Sequence, residues 1–489
     1  MSNVCATSLT VTTRYSMGVN RDLDLVFVID DGPAMAGWQA TLATQLPGLM
    51  MTAQCAPNGV VAGLHVGVVS SDMGIGTAAN AAIPGCATGG DGGGFRSQPE
   101  AMCTETTLDP SATFISDIGS THNFTSTDDA TASGATKVFQ CIAQLGDGGC
   151  GFGQPLAALD RALGADGAPP PAGNAGFLRP DAYLLIVFIS NEDDCSAPAG
   201  TSLFSLDDPV QNGLSDPRGP LTHYRCNHVG HLCLDPNGYR IAPPLAPPAD
   251  ATPVDGIPTL PLTSCTSNDS GGALTPVSKF IADIRSLKTD PDSQILVTGL
   301  VGPPTPYVVE WLPAVGGSAP GELWPRIAPS CGSEAADGSG AFGEPSVRLA
   351  QFANGFSNSV LGSVCDANYA ENLSRLLCRE GERGSPPCVP VEVQTKTDAE
   401  GRSYPDCAVT EHLTSADPVH DFFLPPCATA AAGAACWSIG AAGTGYCPAG
   451  GRPFTVSNEP VGPDPANYSA SVTVSCQLTP HVDAGTCPD

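Results

Sequence analysis

Short, nearly continuous runs of apolar residues recur along the first three quarters of the chain. Residues 24–30 read DLVFVID, residues 63–70 read GLHVGVVS, residues 182–190 read AYLLIVFIS and residues 294–300 read QILVTGL. Short runs rich in β-branched residues are typical of strands that are buried on both faces of a parallel sheet. The pattern therefore predicts a parallel sheet with the most apolar run, 182–190, at its centre.

Apolar residues at helical spacing occur between these runs. They predict helices over 35–50 and 135–145, after Pro155, after Thr275-Pro276, over 347–356 and over 367–377. Proline is favoured as the first residue of a helix, and threonine is a good N-cap. Strands that alternate with helices indicate an α/β fold with a doubly wound, mostly parallel sheet.

Two long stretches interrupt this alternation. Residues 71–133 and 191–272 are polar and rich in glycine, proline or cysteine, and we interpret them as insertions into one α/β domain over 1–377. From Cys378 onward the helical periodicity fades. Twelve cysteines precede Cys378 and eight follow from it, so each part can close its own disulfides. We therefore predict a small, β-rich, cysteine-rich module at 378–489.

Cysteine content indicates the compartment. The chain has 20 cysteines, scattered along its whole length and even in number, which favours disulfides and an oxidising environment. We expect an extracellular or cell-envelope protein, although the first 19 residues lack the basic start and apolar run of a signal peptide. No apolar run approaches the roughly 18 residues that span a bilayer, so no membrane span is expected.

The charge and composition of the chain limit the classes of molecule that it is expected to bind. The formal net charge of −29 disfavours nucleic acid and anionic lipid, which would be repelled. Only 14% of the residues are charged, whereas glycine (56) and proline (47) are abundant, as in a core that carries long loops. A protein or surface-polymer ligand fits these features, and the oligomeric state is not indicated.

Acidic residues follow two of the predicted strands. Asp30 and Asp31 follow the first, and residues 191–194 (Asn-Glu-Asp-Asp) follow the central one. Ligands of open α/β sheets bind at the carboxyl ends of the strands, and carboxylates are ligands for hard cations. One interpretation is that these acidic residues bind a cation. The other is that they cap helices or lie as solvated charges in loops.

Several segments resemble one family. The stretch VFVIDDGPAM resembles the metal-site loop of von Willebrand factor A domains, in which a strand ends in D-x-S-x-S. The stretch FISNEDDCS resembles the central strand end of a cysteine-rich bacterial branch of that family. Further matches are VGVVSSDMG, GDGGCGFGQPL, PSVRLAQF and SVCD. Together they cover most of residues 20–378 and imply an exported α/β domain with a binding or adhesion role.

The metal site that the resemblance implies is degenerate in this chain. Asp30 matches the first aspartate, but Gly32 and Ala34 replace the two serines, and Asn191 replaces a later aspartate. The family's metal site also takes a ligand from a middle loop, which corresponds to residues 149–153 in this chain. These residues offer no threonine hydroxyl. We therefore expect no cofactor of the family type and a ligand interaction that does not depend on it.

A weak Mg²⁺ or Ca²⁺ site remains open as an alternative. Its candidate ligands are Asp30, Asp31, Asn191 and Asp193. A different cation site could use Asp31, Glu192, Asp193 or Asp194.

A cysteine–histidine cluster occurs at 226–233, with the sequence C-N-H-V-G-H-L-C. Its residue types suit Zn²⁺, but the spacing is unusual for zinc, and a disulfide between Cys226 and Cys233 is favoured in an oxidising compartment. The bacterial branch also has both cysteines without requiring the histidines. We expect a second bridge, between Cys141 and Cys150, across the loop before Pro155.

Catalytic motifs are absent from the sequence. It contains no H-E-x-x-H, no G-x-S-x-G and no P-loop lysine, which favours a protein that is not an enzyme. His412 and His420 lie near Asp417 and Asp421, and surface histidines are favoured there over a hidden triad. The leading hypothesis is an extracellular binding or adhesion protein. The alternatives are a structural component of the envelope or of an extracellular assembly, and a hydrolase with an unrecognised site.

Overall fold

The structure is a computed structural model. It describes residues 10–16, 22–38, 55–76, 85–97, 107–126, 134–205, 216–249, 251–313, 322–334, 340–366, 388–414, 420–440, 451–457 and 469–477, with gaps of two residues inside some of these ranges and a few single positions between them.

Strands form most of the regular structure in these residues. Numbered in chain order, they are β1 (Thr10–Ser16), β2 (Asp22–Ile29), β3 (Cys55–Ala56), β4 (Gly59–Val60), β5 (Gly63–Ser70), β6 (Thr107–Leu108), β7 (Ile115–Ile118), β8 (Thr121–His122), β9 (Phe124–Thr125), β10 (Tyr183–Ile189), β11 (His231–Leu234), β12 (Arg240–Ile241), β13 (Thr252–Val254), β14 (Ile257–Ser267), β15 (Ile295–Val301), β16 (Tyr307–Pro313), β17 (Leu323–Ile327), β18 (Cys331–Glu334), β19 (Gly340–Gly343), β20 (Ser359–Ser363), β21 (Cys388–Pro390), β22 (Thr395–Thr397), β23 (Ser403–Pro405), β24 (Cys407–Thr414), β25 (His420–Leu424), β26 (Cys436–Ile439), β27 (Gly451–Ser457) and β28 (Ser469–Gln477).

The helices whose full extent lies in the described residues are short. They are α1 (Gly134–Ile142), α2 (Pro155–Leu163), α3 (Tyr224–Gly230), α4 (Val277–Arg285), α5 (Pro291–Gln294) and α6 (Val347–Ala353), with 3₁₀ turns at Pro33–Trp38 and Ala172–Asn174. None of the helices in the described residues has the length and apolar character to cross a bilayer.

The chain forms two compact units. One comprises Arg21–Cys378, and the other combines Met1–Asn20 with Arg379–Asp489. The sequence placed the first twenty residues in the α/β domain over 1–377. The structure instead pairs β1 with β28 antiparallel, from Thr10 opposite Gln477 to Ser16 opposite Ser471. No local pattern in the sequence indicates a pairing between residues so far apart.

A central sheet organises the larger unit. Its strand order is β20-β15-β10-β2-β5-β7-β8. The first five strands are parallel, and β7 and β8 are antiparallel additions at one edge. An α/β chain with a mostly parallel sheet is thus confirmed, and the run at 182–190 supplies β10, in the interior of the sheet. The stretch 71–133 contributes β7 and β8 to this sheet, where the sequence indicated only an insertion.

Both faces of the central sheet are covered. On one face Leu25 and Phe27 of β2 pack with Val138 and Phe139 of α1. On the other face Val26 and Val28 pack in a cluster with apolar residues of α2, α4 and α6. Because successive side chains of a strand point to opposite faces, two covered faces require the nearly continuous apolar runs seen in the sequence.

Some helix predictions change in detail. Of the helix predicted over 35–50, the structure describes a 3₁₀ turn at Pro33–Trp38, and most of the remainder lies outside the described residues. Most of the helix predicted over 367–377 also lies outside them. Thr275 does not cap α4. The Asp269 carboxylate does so instead, because it accepts hydrogen bonds from the backbone N–H groups of Val277 at 2.9 Å and Ser278 at 3.1 Å.

The second predicted insertion, 191–272, is not irregular. It supplies α3 and β11–β14, and these strands form an antiparallel sheet with β16 and β17 in the order β12-β11-β14-β16-β17, with β13 also on β14. Leu260, Leu262, Val309 and Trp311 are buried in its apolar cluster. Prolines inside β14 and β17 hide these strands in the sequence.

Six disulfides lie in the described part of the chain. They join Cys86 to Cys150, Cys195 to Cys226, Cys233 to Cys265, Cys331 to Cys365, Cys407 to Cys476 and Cys427 to Cys436. Cys141 is also disulfide-bonded.

The predicted pairings Cys226–Cys233 and Cys141–Cys150 are therefore wrong, although all four cysteines form bridges. Pairing of β11 with β14 sets Leu232 opposite Thr266 and so brings Cys233 to Cys265. Cys226 lies on α3 and bonds to Cys195 in the loop that follows β10.

The smaller unit is built from strands. It contains a four-stranded antiparallel sheet, β1-β28-β24-β25, and a three-stranded one, β21-β27-β26. Its core includes Val409, Trp437, Phe454 and Val472. His412 and His420 lie on the paired strands β24 and β25, and their side chains, like Asp417, lie outside what the structure describes.

Candidate functional site

The carboxyl ends of three neighbouring strands meet at one edge of the central sheet. Asp30 follows β2, Ser71 follows β5 and Ser190 follows β10. The parallel register sets Ile29 opposite both Ser70 and Ile189, so the residues that come next lie side by side. We call this edge, with the loops that leave β2, β5, β10 and β15, the carboxyl edge.

Asp30 is buried there, and both of its carboxylate oxygens accept hydrogen bonds. Oδ1 accepts from the hydroxyl of Ser71 at 2.9 Å and from the backbone N–H of Gly32 at 3.0 Å. Oδ2 accepts from the hydroxyl of Ser190 at 2.7 Å. Protein donors thus occupy the carboxylate that the resemblance assigns to a cation.

Ser71 and Ser190 are the hydroxyl donors to Asp30, and the sequence analysis did not predict this role for them. The family pattern placed the hydroxyls at the positions of Gly32 and Ala34, on the loop of Asp30 itself. The hydroxyls in contact with Asp30 come from the two adjacent strands instead. Their one sequence signal is their position: Ser71 directly follows the run at 63–70, and Ser190 is the last residue of the run at 182–190.

Asp31 is buried beside Asp30 without a hydrogen bond to its Oδ1 atom. Burial, together with the nearby Asp30, Asp72 and Asp91 carboxylates, raises the pKa of Asp31 to about 8. Its side chain is therefore largely protonated at neutral pH. The middle loop is close: Gly149 donates its N–H to the Asp31 carbonyl at 2.7 Å, and a Cβ atom at position 149 would lie 2.4 Å from the carboxyl group.

Asn191 also uses its side chain within the protein. Its Nδ2 atom donates to the carbonyl of Ala34 at 3.0 Å, which ties the end of β10 to the turn after β2. Its Oδ1 atom is buried and has no hydrogen-bond partner. The backbone carbonyl of Asn191 accepts from the N–H of Glu344 at 2.7 Å.

Asp193 caps helix α6. Its Oδ2 atom accepts from His231 at 2.9 Å and from the backbone N–H groups of Val347 and Arg348 at 2.7 and 2.8 Å. Burial opposes ionisation, but the hydrogen bonds from His231 and the α6 backbone keep the pKa of Asp193 below its ordinary value. The role of Asp193 is that of a helix cap.

Asp194 serves helix α2 in the same way. Its Oδ1 atom accepts from the backbone N–H of Leu156 at 3.0 Å, and its Oδ2 atom accepts from Nε of Arg348 at 3.0 Å. The fully buried Arg348 also donates to the Ser267 hydroxyl and to the Thr275 carbonyl, each at 2.7 Å. This network fixes the loop after β10 against α2 and α6.

The residues proposed from the sequence as metal ligands do not fit a cation site of the family type. Asp30, Asp31 and Asn191 lie at the ends of the adjacent strands β2 and β10, but Asp193 is turned toward α6. Positions 32 and 34 lack hydroxyls, and the carboxylate of Asp30 already accepts three hydrogen bonds.

The histidines of the 226–233 segment do not converge either. Nδ1 of His228 lies 2.7 Å from the carbonyl of Pro243, whereas His231 lies between Asp193 and the hydroxyl of Tyr307. Both cysteines of the segment are bridged elsewhere. The zinc interpretation of this segment is therefore wrong.

A different group of possible metal ligands comes together at the carboxyl edge. Among the described residues, Glu192, His223 and Glu344 are the one set of three or more histidine, cysteine or acidic side chains whose ligand atoms all lie within 4.8 Å of one another. Burial would lower the pKa of His223, but the Glu192 and Glu344 carboxylates outweigh it and raise the pKa to about 10. The sequence indicated Glu192 but not His223 or Glu344.

Two disulfides hold the loops of this edge together. Cys86–Cys150 joins the segment after β5 to the middle loop before α2, and Cys195–Cys226 joins the loop after β10 to α3. These bridges and the Arg348–Asp194 pair join five segments in two groups, and the N–H of Cys195 connects the groups by donating to the carbonyl of Gly153 at 2.9 Å. The edge is thus a pre-organised surface rather than a set of independent loops.

Comparisons with known proteins give limited information. No protein-family model and no curated protein matches the chain. Among solved structures, the pilus adhesin (RrgA) from Streptococcus pneumoniae is similar at a TM-score of 0.28 and 12% sequence identity, with 96% of this chain and 58% of that chain covered. The chain therefore spans less than two thirds of the length of that adhesin. A TM-score of this size does not establish a shared fold.

Proposed function

We propose that the chain is an extracellular or cell-surface binding protein whose larger unit is a doubly wound α/β domain of the von Willebrand factor A type. The strand order β20-β15-β10-β2-β5 and the helices on both faces support this fold. The motifs that resemble the family support it as well, because they supply Asp30, Ser71, Asn191 and Arg348 to one connected edge. Its ligand is a protein or a surface polymer.

The rigidity of the carboxyl edge is the observation that carries the binding role. Two disulfides and one buried ion pair tie together segments that leave different strands. A surface fixed before contact loses little conformational entropy on binding, and this favours affinity. The six described disulfides also support a location outside the reducing cytosol.

We further propose that ligand binding does not use Mg²⁺ at Asp30. Three protein donors already satisfy this carboxylate, and the high pKa of Asp31 leaves it a weak cation ligand at neutral pH. We propose no catalytic role for the edge. Hydrolysis that a broad substrate screen detects, and that His223→Ala abolishes, would overturn this part of the proposal.

A charge-reversal pair tests the location of the ligand surface. Asp147 is exposed two residues before Gly149, which contacts Asp31 at the carboxyl edge, and Asp181 is exposed at the opposite edge, before β10. The purified chain is tested against a panel of immobilised extracellular proteins and polysaccharides by surface plasmon resonance. We expect Asp147→Arg to weaken binding of the recognised panel member by tenfold or more, and Asp181→Arg to leave it unchanged. No binding to any member, or equal effects of both variants, would contradict the proposal.

A structural role in an extracellular assembly is the second candidate, and one feature favours it. Strand β25 is at the edge of its sheet in the described residues, and the side chains of Phe422 and Phe423 on it are 45% and 82% exposed. An edge strand with exposed aromatic residues is a surface that pairs with other chains. Light scattering after size exclusion tests this role: assembly of the wild type that Phe423→Ser abolishes would favour it over the first proposal.

A further inference from the structure

We propose that Glu192, His223 and Glu344 form a binding site for a divalent transition-metal ion, with Zn²⁺ as the ion of choice. This site is separate from the Asp30 position that the family resemblance indicates. It also does not depend on the identity of the ligand that the carboxyl edge binds.

The spacing of the three side chains fits a zinc ion. Nδ1 of His223 and Oε2 of Glu344 lie 3.4 Å apart. Zinc lies about 2.0–2.2 Å from nitrogen and oxygen ligands in a tetrahedral arrangement, which places two ligand atoms about 3.4 Å from each other. The ligand atom of Glu192 lies within 4.8 Å of both. Small rotations of a glutamate side chain therefore suffice to close the site.

His223 supplies the independent evidence. The residue is 9% exposed, and its Nδ1 atom is buried without a hydrogen-bond partner of acceptable geometry, although it faces the two glutamates. A buried polar atom that lacks a partner is costly, by about 1–3 kcal/mol, and such atoms mark positions where an ion or water belongs. An ion between the three side chains would give Nδ1 its partner.

The second ring nitrogen of His223 is held as in known metal sites. Nε2 lies 3.1 Å from the backbone carbonyl of Asp193, to which its N–H donates. Histidine ligands of metals commonly donate their other N–H to a carbonyl or carboxylate, which fixes the ring and directs the free lone pair at the metal. Here that arrangement turns Nδ1 toward Glu344.

Each of the three side chains is mounted on fixed backbone. Glu192 follows β10, and its backbone N–H donates to the Ser190 hydroxyl at 3.2 Å. Glu344 is held by its N–H bond to Asn191, and its Oε2 atom accepts from Nδ2 of Asn227 at 3.4 Å. The Cys195–Cys226 bridge links the Glu192 loop to helix α3, which begins directly after His223. Ligands held in this way keep their geometry without the metal.

The donor set selects the class of ion. One imidazole nitrogen with two carboxylates suits Zn²⁺ and related first-row ions, whereas Ca²⁺ and Mg²⁺ prefer oxygen ligands alone. Two carboxylates also balance the charge of a divalent ion. Three protein ligands leave a fourth position of the tetrahedron for water.

The competing explanation is an ion pair in which a protonated His223 lies between the two glutamates and no metal binds. Zinc titration of the whole oxidised chain distinguishes the two. Chelator-treated protein is titrated with ZnCl₂ against a chromophoric zinc chelator, and Co²⁺ replaces Zn²⁺ in parallel for its visible absorption bands. We expect one equivalent of Zn²⁺ per chain and a tetrahedral Co²⁺ spectrum.

Matched variants assign the ion to the site. Glu344→Gln keeps the shape of the side chain and removes its charge, and His223→Gln removes the nitrogen ligand. Each is expected to weaken Zn²⁺ binding by at least tenfold and to remove the Co²⁺ bands. His228→Gln, on helix α3 directly after His223 but outside the cluster, should bind as the wild type does.

Circular dichroism of the unliganded variants shows whether they fold, and Glu192→Gln replaces any variant that does not. Absence of stoichiometric binding by the wild type would overturn the proposal in favour of the ion pair. Zinc binding that survives in both Glu344→Gln and His223→Gln would overturn it as well, since the ion would then be held elsewhere.

Discussion

The guanidinium group of Arg348 and the carboxylate of Asp194 form an ion pair at 3.0 Å in the interior of the larger unit, where their side chains are 1% and 0% exposed. The pair joins the first turn of α6 to the loop that follows β10. Because Asp194 also caps α2, the contact connects two helices through one carboxylate. Loss of the arginine would leave that carboxylate buried without its charged partner.

Arg348→Met is therefore expected to destabilise the protein strongly. Removal of one partner from a buried ion pair costs about 3–5 kcal/mol, since the remaining charge stays desolvated. Denaturant unfolding of the oxidised protein measures the change. The control is Arg326→Met, which breaks a half-exposed pair with Glu310 and should cost less than about 1 kcal/mol. Equal costs for the two variants would show that the Asp194 network does not hold this edge.

Ser71→Ala tests the hydrogen bonds of Asp30. The hydroxyl of Ser71 donates to a buried carboxylate, and a hydrogen bond to a charged group contributes about 1.5–3 kcal/mol. We expect a loss of that size in the free energy of unfolding. Ser286→Ala is the comparison, because the Ser286 hydroxyl donates to a backbone carbonyl at an exposed position. A loss of stability no greater than that of Ser286→Ala would argue against the role given to Ser71.

Mg²⁺ and Ca²⁺ are expected to leave the melting temperature of chelator-treated protein unchanged. An ion that binds the folded state raises the melting temperature with its concentration, and both carboxylate oxygens of Asp30 already accept hydrogen bonds from the protein. Differential scanning fluorimetry with increasing MgCl₂ or CaCl₂ measures this, with ZnCl₂ as the positive comparison. A concentration-dependent rise with Mg²⁺ that Asp30→Asn abolishes would show that the family-type site works after all.

Asp160 on helix α2 should make stability depend on pH. Burial, with a smaller contribution from the Asp283 carboxylate, raises the pKa of Asp160 to about 7, and its Oδ1 atom has no hydrogen-bond partner. In the unfolded chain the pKa is about 3.9. The folded state therefore holds the proton more tightly, and the resulting stability is present below about pH 4 and is lost as the pH rises through 7.

Asp160→Asn removes this titration. We expect the variant to be more stable than the wild type at pH 8, by at most about 4 kcal/mol, and to differ little at pH 4. Urea unfolding at both pH values measures the difference. Asp109→Asn, at an exposed position, is the control variant. A constant difference between Asp160→Asn and the wild type across the range would contradict the assignment.

The central sheet could be predicted because its strands are buried on both faces. Such strands appear in the sequence as short apolar runs, and β5 was predicted over its full extent. The second sheet was missed because β14 carries two prolines, which are uncommon inside strands and interrupt its apolar positions. Its pairing with β11 also decides the partner of Cys233, so the disulfide prediction failed for the same reason.

The candidate sites were predictable only in part. Acidic residues at strand ends indicated Asp30 and Glu192 correctly as residues of the carboxyl edge. The partners of Asp30 depend on the register between neighbouring strands, which no local pattern in the sequence contains. His223 lies three residues before Cys226 and outside any motif, and it meets Glu344 only through the folded path of the chain.

The bridges of Cys226 and Cys233 bear on how the native protein can be made. The two cysteines are seven positions apart, yet their partners are 31 and 32 positions away. In a disordered chain the shorter loop closes about ninefold more readily, so oxidation would first join these two cysteines to each other. Formation of the native protein then requires that this early Cys226–Cys233 disulfide be exchanged for the native pairings. A host compartment that supplies a disulfide isomerase should yield native chains, and one that only oxidises should accumulate isomers of equal mass.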